Sequence, residues 1–545
     1  MLRKLVTTFL WVWLLSAHQQ SQAFNARTLP SVKLDRPGRV LFVAHFLTNT
    51  EVNQMLEMAD ELKTMGHEST FIVAATYSDN VRRRGYEPIE TLDLNAKPEL
   101  RAQWRASMEL GITAPTWWEY FHRTFNDVFE TNAQMYEPAL IVIKDYLENN
   151  SKPDVMVASM FSDMAMDLAV KHDIPLAVNF ACPLGGFFDY EANPTAPDPL
   201  LWGKAPAYQN FSYRLWKTVK FAKMMSGLVP LSFKINAIRE KYDLAPVSDP
   251  MDMLNKAVFL VSWPLGLDYA RRLRPLTVMT GFITSNWQQP AKLSDSDKEL
   301  AKILDKHTDG VVFSGFGSLA VLTQEWFEAI VKGMSMWVAE QGPNAVGLMA
   351  VKLENRKGLD LSVVPDNVVL LEWTNQKMIL AHANTKAFLT HGGQASVAEA
   401  VHNQVPMMAF PLFADQIANS EKVEEAGIGA MLFHRYESVT PEKVAAKLKY
   451  VTSEPSVTAN LYRTYQISVR HGGAKTAAKA IEDMIVLGHL EHLVPIEEKS
   501  SFVANNNLDV KAILLALFAV IFLVGYSLLK FLIRMTPLAA KAKTD

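Results

Sequence analysis

A chain of 545 residues with a formal net charge of −3 has room for two large domains plus ends. The near balance of charge gives no basic face for a nucleic-acid partner, so none is expected. A single cysteine, Cys182, excludes an internal disulfide.

In chain order, Arg3 and Lys4 precede the apolar run 5–17, and Ser21-Gln22-Ala23 is a small-x-small cleavage site. Residues 1–23 therefore read as a signal peptide. A first strand is expected at 40–44. Val52, Met55, Leu56, Ala59 and Leu62 then have helical spacing, Gly66 ends that helix, and 70–75 is the next strand. This βαβ opening starts an N-terminal Rossmann-like domain, 24–285. Within it, 95–150 read as helical and rich in aromatics (Trp104, Trp117, Trp118, Tyr120, Phe121, Phe125, Phe129) and 183–235 as irregular. Strands are expected at 155–158, 176–180, 258–262 and 278–280, and the polar run 285–297 reads as the interdomain linker.

The second half, 286–455, opens on a strand at 310–314, followed by a helix around 324–334 and a strand at 346–351. Residues 467–487 are helical, within a C-terminal segment 456–490. A juxtamembrane segment, 491–509, precedes 510–533. There 512–529 carry no charge and are about long enough to cross a bilayer. Lys530, Arg534, Lys541 and Lys543 follow, which puts the tail 534–545 in the cytosol. The closing KAKTD resembles the dilysine retrieval signals of type I endoplasmic reticulum proteins. Sequons at Asn149-Asn150-Ser151 and Asn210-Phe211-Ser212 fall on the side this topology makes lumenal. The expectation is a type I single-pass protein of that membrane with a lumenal body.

The most informative stretch is 368–433. Apolar runs at 368–371 and 387–390 read as buried strands. The second turns through His391, Gly392 and Gly393 into a helical pattern carrying Val397, Ala400 and Val401. A third apolar run, 406–411, ends at Asp415-Gln416. A strand that turns through glycines into a helix N-terminus is a physical anion site, because backbone N–H groups and the helix dipole converge there. In open parallel sheets such sites lie at the carboxyl ends of strands.

Trp373 and Gln376, THGGQASVAE (390–399) and PLFADQ (411–416) together resemble the signature region of the UDP-glycosyltransferases. The resemblance implies an α/β GT-B fold: two facing Rossmann-like domains with a UDP-sugar in the C-terminal one, here followed by a single transmembrane helix. It implies that the aromatic region 95–150 lines the acceptor site and that the helices of 456–490 pack back on the N-terminal domain. No metal and no cofactor are implied, the UDP-sugar being a co-substrate. The implied partners are that donor and a lipophilic small-molecule or lipid acceptor, with room for a homo-oligomer.

Residue by residue, Trp373 would stack on the uracil and Gln376 would contact base or ribose. His391 would reach a phosphate oxygen. Gly393, Ala395 and Ser396 would offer amides to the pyrophosphate, Ala395 standing where the family often has Asn. Glu399 would hold the ribose hydroxyls, and Asp415 with Gln416 the sugar hydroxyls. Ser314, Gly317 and Ser318, in FSGFGS, resemble the phosphate-side loop. Each has an ordinary structural alternative: core for Trp373, a backbone-bonded strand end for His391, a solvated helix face for Glu399, a polar turn for Asp415-Gln416.

The catalytic dyad is where the chain departs. The family often has a base His at the start of the first helix and an Asp that orients it. Those positions hold Glu51 and Ser159. His45 is six residues too early to inherit the role. In one reading Glu51 is the base, kept ionised by the helix N-terminus. In the other Glu51 is only a good first-turn residue, and the protein is a UDP-sugar-binding pseudoenzyme or partner subunit. Three rivals are weaker. A serine hydrolase lacks a G-x-S-x-G elbow, Asp295-Ser296-Asp297 reads as a capped surface helix, and Gly473-Ala474-Lys475-Thr476 lacks P-loop spacing.

Overall fold

The computed structural model describes residues 36–46, 49–92, 97–102, 106, 117–183, 211–246, 257–268, 273–284, 293–317, 321–372, 374–413, 415–433, 437–494 and 507–535. The apolar runs become thirteen strands among these residues. In chain order the first domain runs β1 (Arg39–Ala44), α1 (Asn49–Thr64), β2 (Glu68–Ala74), α2 (Ser78–Arg83), β3 (Pro88–Thr91), α3 (Trp117–Asn149), β4 (Val155–Ser159), α4 (Asp163–Lys171), β5 (Leu176–Phe180), α5 (Phe211–Lys241), β6 (Val258–Val261) and β7 (Thr277–Met279). The second runs α6 (Asp295–Lys306), β8 (Gly310–Gly315), α7 (Gln324–Gln341), β9 (Ala345–Ala350), α8 (Leu353–Arg356), β10 (Val368–Leu371), α9 (Gln376–Ala381), β11 (Thr385–Thr390), α10 (Gln394–His402), β12 (Met407–Ala409), α11 (Gln416–Glu425) and β13 (Gly429–Met431). Four helices follow: α12 (Pro441–Ser453), α13 (Pro455–His471), α14 (Ala474–Leu487) and α15 (Leu508–Met535).

Every strand pair is parallel, in the orders β3-β2-β1-β4-β5-β6-β7 and β10-β9-β8-β11-β12-β13. Parallel sheets covered on both faces need continuous apolar strands, and β1, β4, β5 and β6 are buried along almost their whole length. This is the two-domain Rossmann-like architecture expected from the sequence. Strand order reverses beside β1 and beside β8, so the carboxyl ends of β1, β4, β8 and β11 define the crevice where ligands bind in such sheets.

Several local expectations change. Part of the supposedly irregular stretch 183–235 is α5, whose inner end is fixed by the buried Asp167–Arg239 ion pair and the Tyr136–Asp167 hydrogen bond. The single helix expected at 467–487 is two, separated at Gly472 (φ +91°) and Gly473 (φ +59°), conformations that side chains resist. The short strands β3 and β13 went unread because four and three residues carry almost no periodic signal. Ser294 caps α6, its hydroxyl accepting from the Asp297 amide at 3.1 Å. The signal-peptide region, Trp104, Ser318, Trp373 and most of the linker lie outside the described residues, as do the side chains of 117–129.

Candidate active site

On the first domain the site is built at the start of α1. Glu51, in the first turn, is 1% exposed. The backbone N–H of Phe161 donates to Ser159 Oγ (3.2 Å), and the Ser159 hydroxyl in turn donates to Glu51 Oε2 (2.6 Å). Among the described residues nothing donates a hydrogen bond to the buried Glu51 Oε1. Asn179, beside Ser159 in the β4–β5 register, donates to the Glu51 backbone carbonyl at 3.5 Å. The two positions that depart from the family pattern are thus hydrogen-bonded to each other. Burial pushes the Glu51 carboxyl up to about 8, against the opposing pull of Ser159 and the Met160 backbone. This overturns the expectation that the helix N-terminus keeps it ionised: desolvation outweighs a fractional dipole charge.

His45 is not free for the same work. Its Nδ1 pairs with Ser162 Oγ and its Nε2 with Asn132 Oδ1, both at 3.0 Å. Burial lowers its pKa to about 4, which leaves a neutral ring with both nitrogens engaged.

On the second domain β8 and β11 are neighbours, Gly315 opposite Thr390, so the loops after them meet. Gly392 turns at φ +78° and Gly317 at φ +74°. A Cβ at 317 would lie 3.0 Å from His391 Nε2, and one at 393 only 2.5 Å from it. Both glycines therefore make room for the imidazole, which burial holds down to about 4. Gly393 is the N-cap of α10, and no side chain caps that helix's first turn, leaving the amides of Ala395 and Ser396 at an anion-attracting end. Ser314 Oγ, just behind on β8, is buried with no partner among the described residues.

Gln376 Nε2 donates to Glu399 Oε2 (2.7 Å) and to Ser396 Oγ (3.3 Å), gathering three predicted residues into one cluster. Burial raises the Glu399 pKa, with Lys377 and Gln376 opposing. Asp415 accepts from Asn419 Nδ2 at 2.7 Å and is raised to about 6 by burial. Asn419 Nδ2 also donates to the Gly392 carbonyl (2.9 Å), tying the Asp415 loop to the glycine turn. Gln416 is turned inward: its Oε1 accepts from the Leu412 and Phe413 amides, each at 3.0 Å. Its carbonyl oxygen therefore clamps its own loop.

Residues 42–542 match the family described as UDP-glucoronosyl and UDP-glucosyl transferase. The chain belongs to that family. Among UDP-glycosyltransferase relatives, it is 27% identical over 421 residues to a mouse (Mus musculus) protein named UDP-glucuronosyltransferase 3A2, covering 74% of this chain and 75% of that one. It is also 27% identical over 364 residues to the 2-hydroxyacylsphingosine 1-beta-galactosyltransferase of Rattus norvegicus, with 64% of each chain covered. The fold matches the solved structure of a UDP-glucosyltransferase from Polygonum tinctorium with a TM-score of 0.56 and 16% identity, over 84% of this chain and all of that one.

Several polar residues in the crevice went unread in the sequence. Burial, then Asp415, Glu51 and Asp268, raise the Cys182 thiol, so acids of both domains bear on one sulfur beyond β5. Asn179, Asn419, Gln54, Ser262 and Gln394 are also buried here. Apart from Asn419, their partners lie 21 to 340 positions away, beyond the reach of any local pattern.

Proposed function

We propose that this UDP-glycosyltransferase is a membrane-anchored, inverting enzyme that moves a hexosyl or glucuronosyl group to a hydroxyl of a small lipophilic acceptor. Glu51 is its general base. The observation that supports this most is the Phe161–Ser159–Glu51 relay, which orients one carboxylate oxygen and leaves the other to receive a proton. In the reaction the acceptor O–H proton passes to Glu51 Oε1. The acceptor oxygen attacks the anomeric carbon from the face opposite the nucleotide. The bond from that carbon to the β-phosphate oxygen breaks, and UDP departs with the electron pair.

His391 and the amides of Gly393, Ala395 and Ser396, with Ser314, Gly317 and Ser318, take the diphosphate. Trp373 and Gln376 take the base, Glu399 the ribose, and Asp415 with Gln416 the sugar. Gln416 does so through its amide nitrogen. The helix Leu508–Arg534, of mean hydropathy 2.7 and unburied in the fold, is long enough to cross a bilayer, and the body faces the lumen of the endoplasmic reticulum.

One observation favours a second reading, a UDP-sugar-binding pseudoenzyme or partner subunit. With Glu51 raised to about 8, only about one molecule in ten carries the ionised base at pH 7. A panel of UDP-sugars with mixed hydrophobic acceptors, read by UDP release, separates the two. The enzyme reading expects turnover that Glu51→Gln abolishes while UDP affinity is kept. Turnover unchanged in that variant removes Glu51 from the mechanism.

A further inference from the structure

We infer that Gln54, Ser262 and Gln394 form a latch between the two domains that sets the base against the donor turn, Gln54 and Gln394 acting as positioning residues. Gln54 lies on α1 three residues after Glu51, on the same face of the helix. Ser262 directly follows β6, and Gln394 directly follows Gly393 at the head of α10. All three are nearly inaccessible, at 2%, 0% and 4% exposure.

Gln54 Nε2 donates to Ser262 Oγ at 3.0 Å and to Gln394 Oε1 at 3.1 Å. Gln394 Nε2 donates to the Ser262 carbonyl at 2.8 Å and to its Oγ at 3.1 Å. The Ile283 amide, at the end of the first domain, closes on the same hydroxyl at 3.0 Å. One serine thus receives the base helix, the glycine turn and the chain leading to the linker. A second tie, the buried Lys422–Asp268 ion pair, joins α11 to the loop after β6.

The arrangement is more than packing. Gln54 Oε1 is buried with no partner among the described residues, so the amide is committed to the domain contact while that acceptor goes unmet there. Opening the seam would carry α1, and Glu51 with it, away from α10 with Ser396 and Glu399. The latch therefore makes proton removal and donor holding simultaneous, and it shuts solvent out at their boundary.

The role rests on the transferase reading above, and the test keeps the two separable. In Gln54→Ala and Gln394→Ala of the full chain, UDP Kd and donor KM stay within about twofold of wild type while kcat falls about 100-fold, the scale of a misplaced reacting group. The double variant falls no further than either single one, because one latch can be broken only once. Losses confined to UDP affinity, or kcat losses that multiply, overturn the proposal.

Spin labels at Thr64 and Ala446, in a Cys182→Ser background, decide the same point without turnover. The interdomain distance widens in both variants if the latch holds the domains, and an unchanged distance refutes it. A wild type that binds UDP but transfers from no UDP-sugar fails the transferase reading alone, and the label distances still decide the latch.

Discussion

Replacing Ser159 by alanine tests the carboxylate relay directly. Among the described residues, Ser159 Oγ is the only side-chain group that hydrogen-bonds Glu51 Oε2, at 2.6 Å, and it favours the ionised form. A hydrogen bond to a charged group contributes about 1.5–3 kcal/mol, and about 1.4 kcal/mol corresponds to one pKa unit. Its loss should therefore lift a carboxyl already near 8 by roughly one to two units. At pH 7 the ionised fraction, and with it kcat/KM, then drops about 10- to 100-fold. The deficit is recoverable. Initial rates of UDP release between pH 6 and 9.5 should show wild-type kcat/KM half-risen at about pH 8 and levelling off about one unit higher, with the variant still climbing at the alkaline end. An equal loss at every pH, with the two profiles superimposed, would refute the relay.

The same burial predicts a stability effect with a definite sign. Between the ordinary carboxyl value of 4.5 and about 8 the unfolded chain has released the Glu51 proton and the folded chain still holds it, so stability falls as pH rises. Glu51→Gln should gain stability over wild type across that window, by about 3 kcal/mol at pH 7, and match it below pH 4.5; thermal melts at pH 4 and 7 check this. Gly393→Ala should push the His391 ring from its place and weaken UDP binding at least about tenfold, measured by calorimetry. Glu399→Ala should weaken UDP binding by about 1–3 kcal/mol through the lost ribose contacts, while the binding of inorganic diphosphate stays unchanged. Lys422→Met removes the lysine from the buried Lys422–Asp268 pair in the seam and should lower the melting temperature, with Lys422→Met/Asp268→Asn recovering part of it.

The glycine-turn half of the candidate site was legible as a local motif because its residues are close in sequence. A strand, a glycine turn and a helix start lie within ten positions, and the physics of helix ends says what such a turn attracts. The Glu51–Ser159 half of the candidate site was legible only by position. Glu51 and Ser159 could be placed by counting, yet nothing in the letters said that a buried amide would orient the serine toward the acid, or that desolvation would defeat the helix dipole. The seam was illegible altogether, since a glutamine inside a motif and another inside an amphipathic helix carry no mark of facing each other. Helix α5 was missed for a different reason: its interior Pro230 and its dense mix of aromatic and basic residues blur the periodicity on which a helix is recognised.

The return of the last helices has its own consequence for biogenesis. Ile485 of α14 presses on Gly38 at the entry to β1, Glu482 reaches His67, and the Gly473 amide bonds the Thr280 carbonyl. The first domain is therefore completed by residues made some 200 positions after its final strand. During synthesis that domain must wait, with an open flank, until most of the second has emerged. A cut or a graft at the linker would leave it unfinished, so the two halves are not interchangeable cassettes.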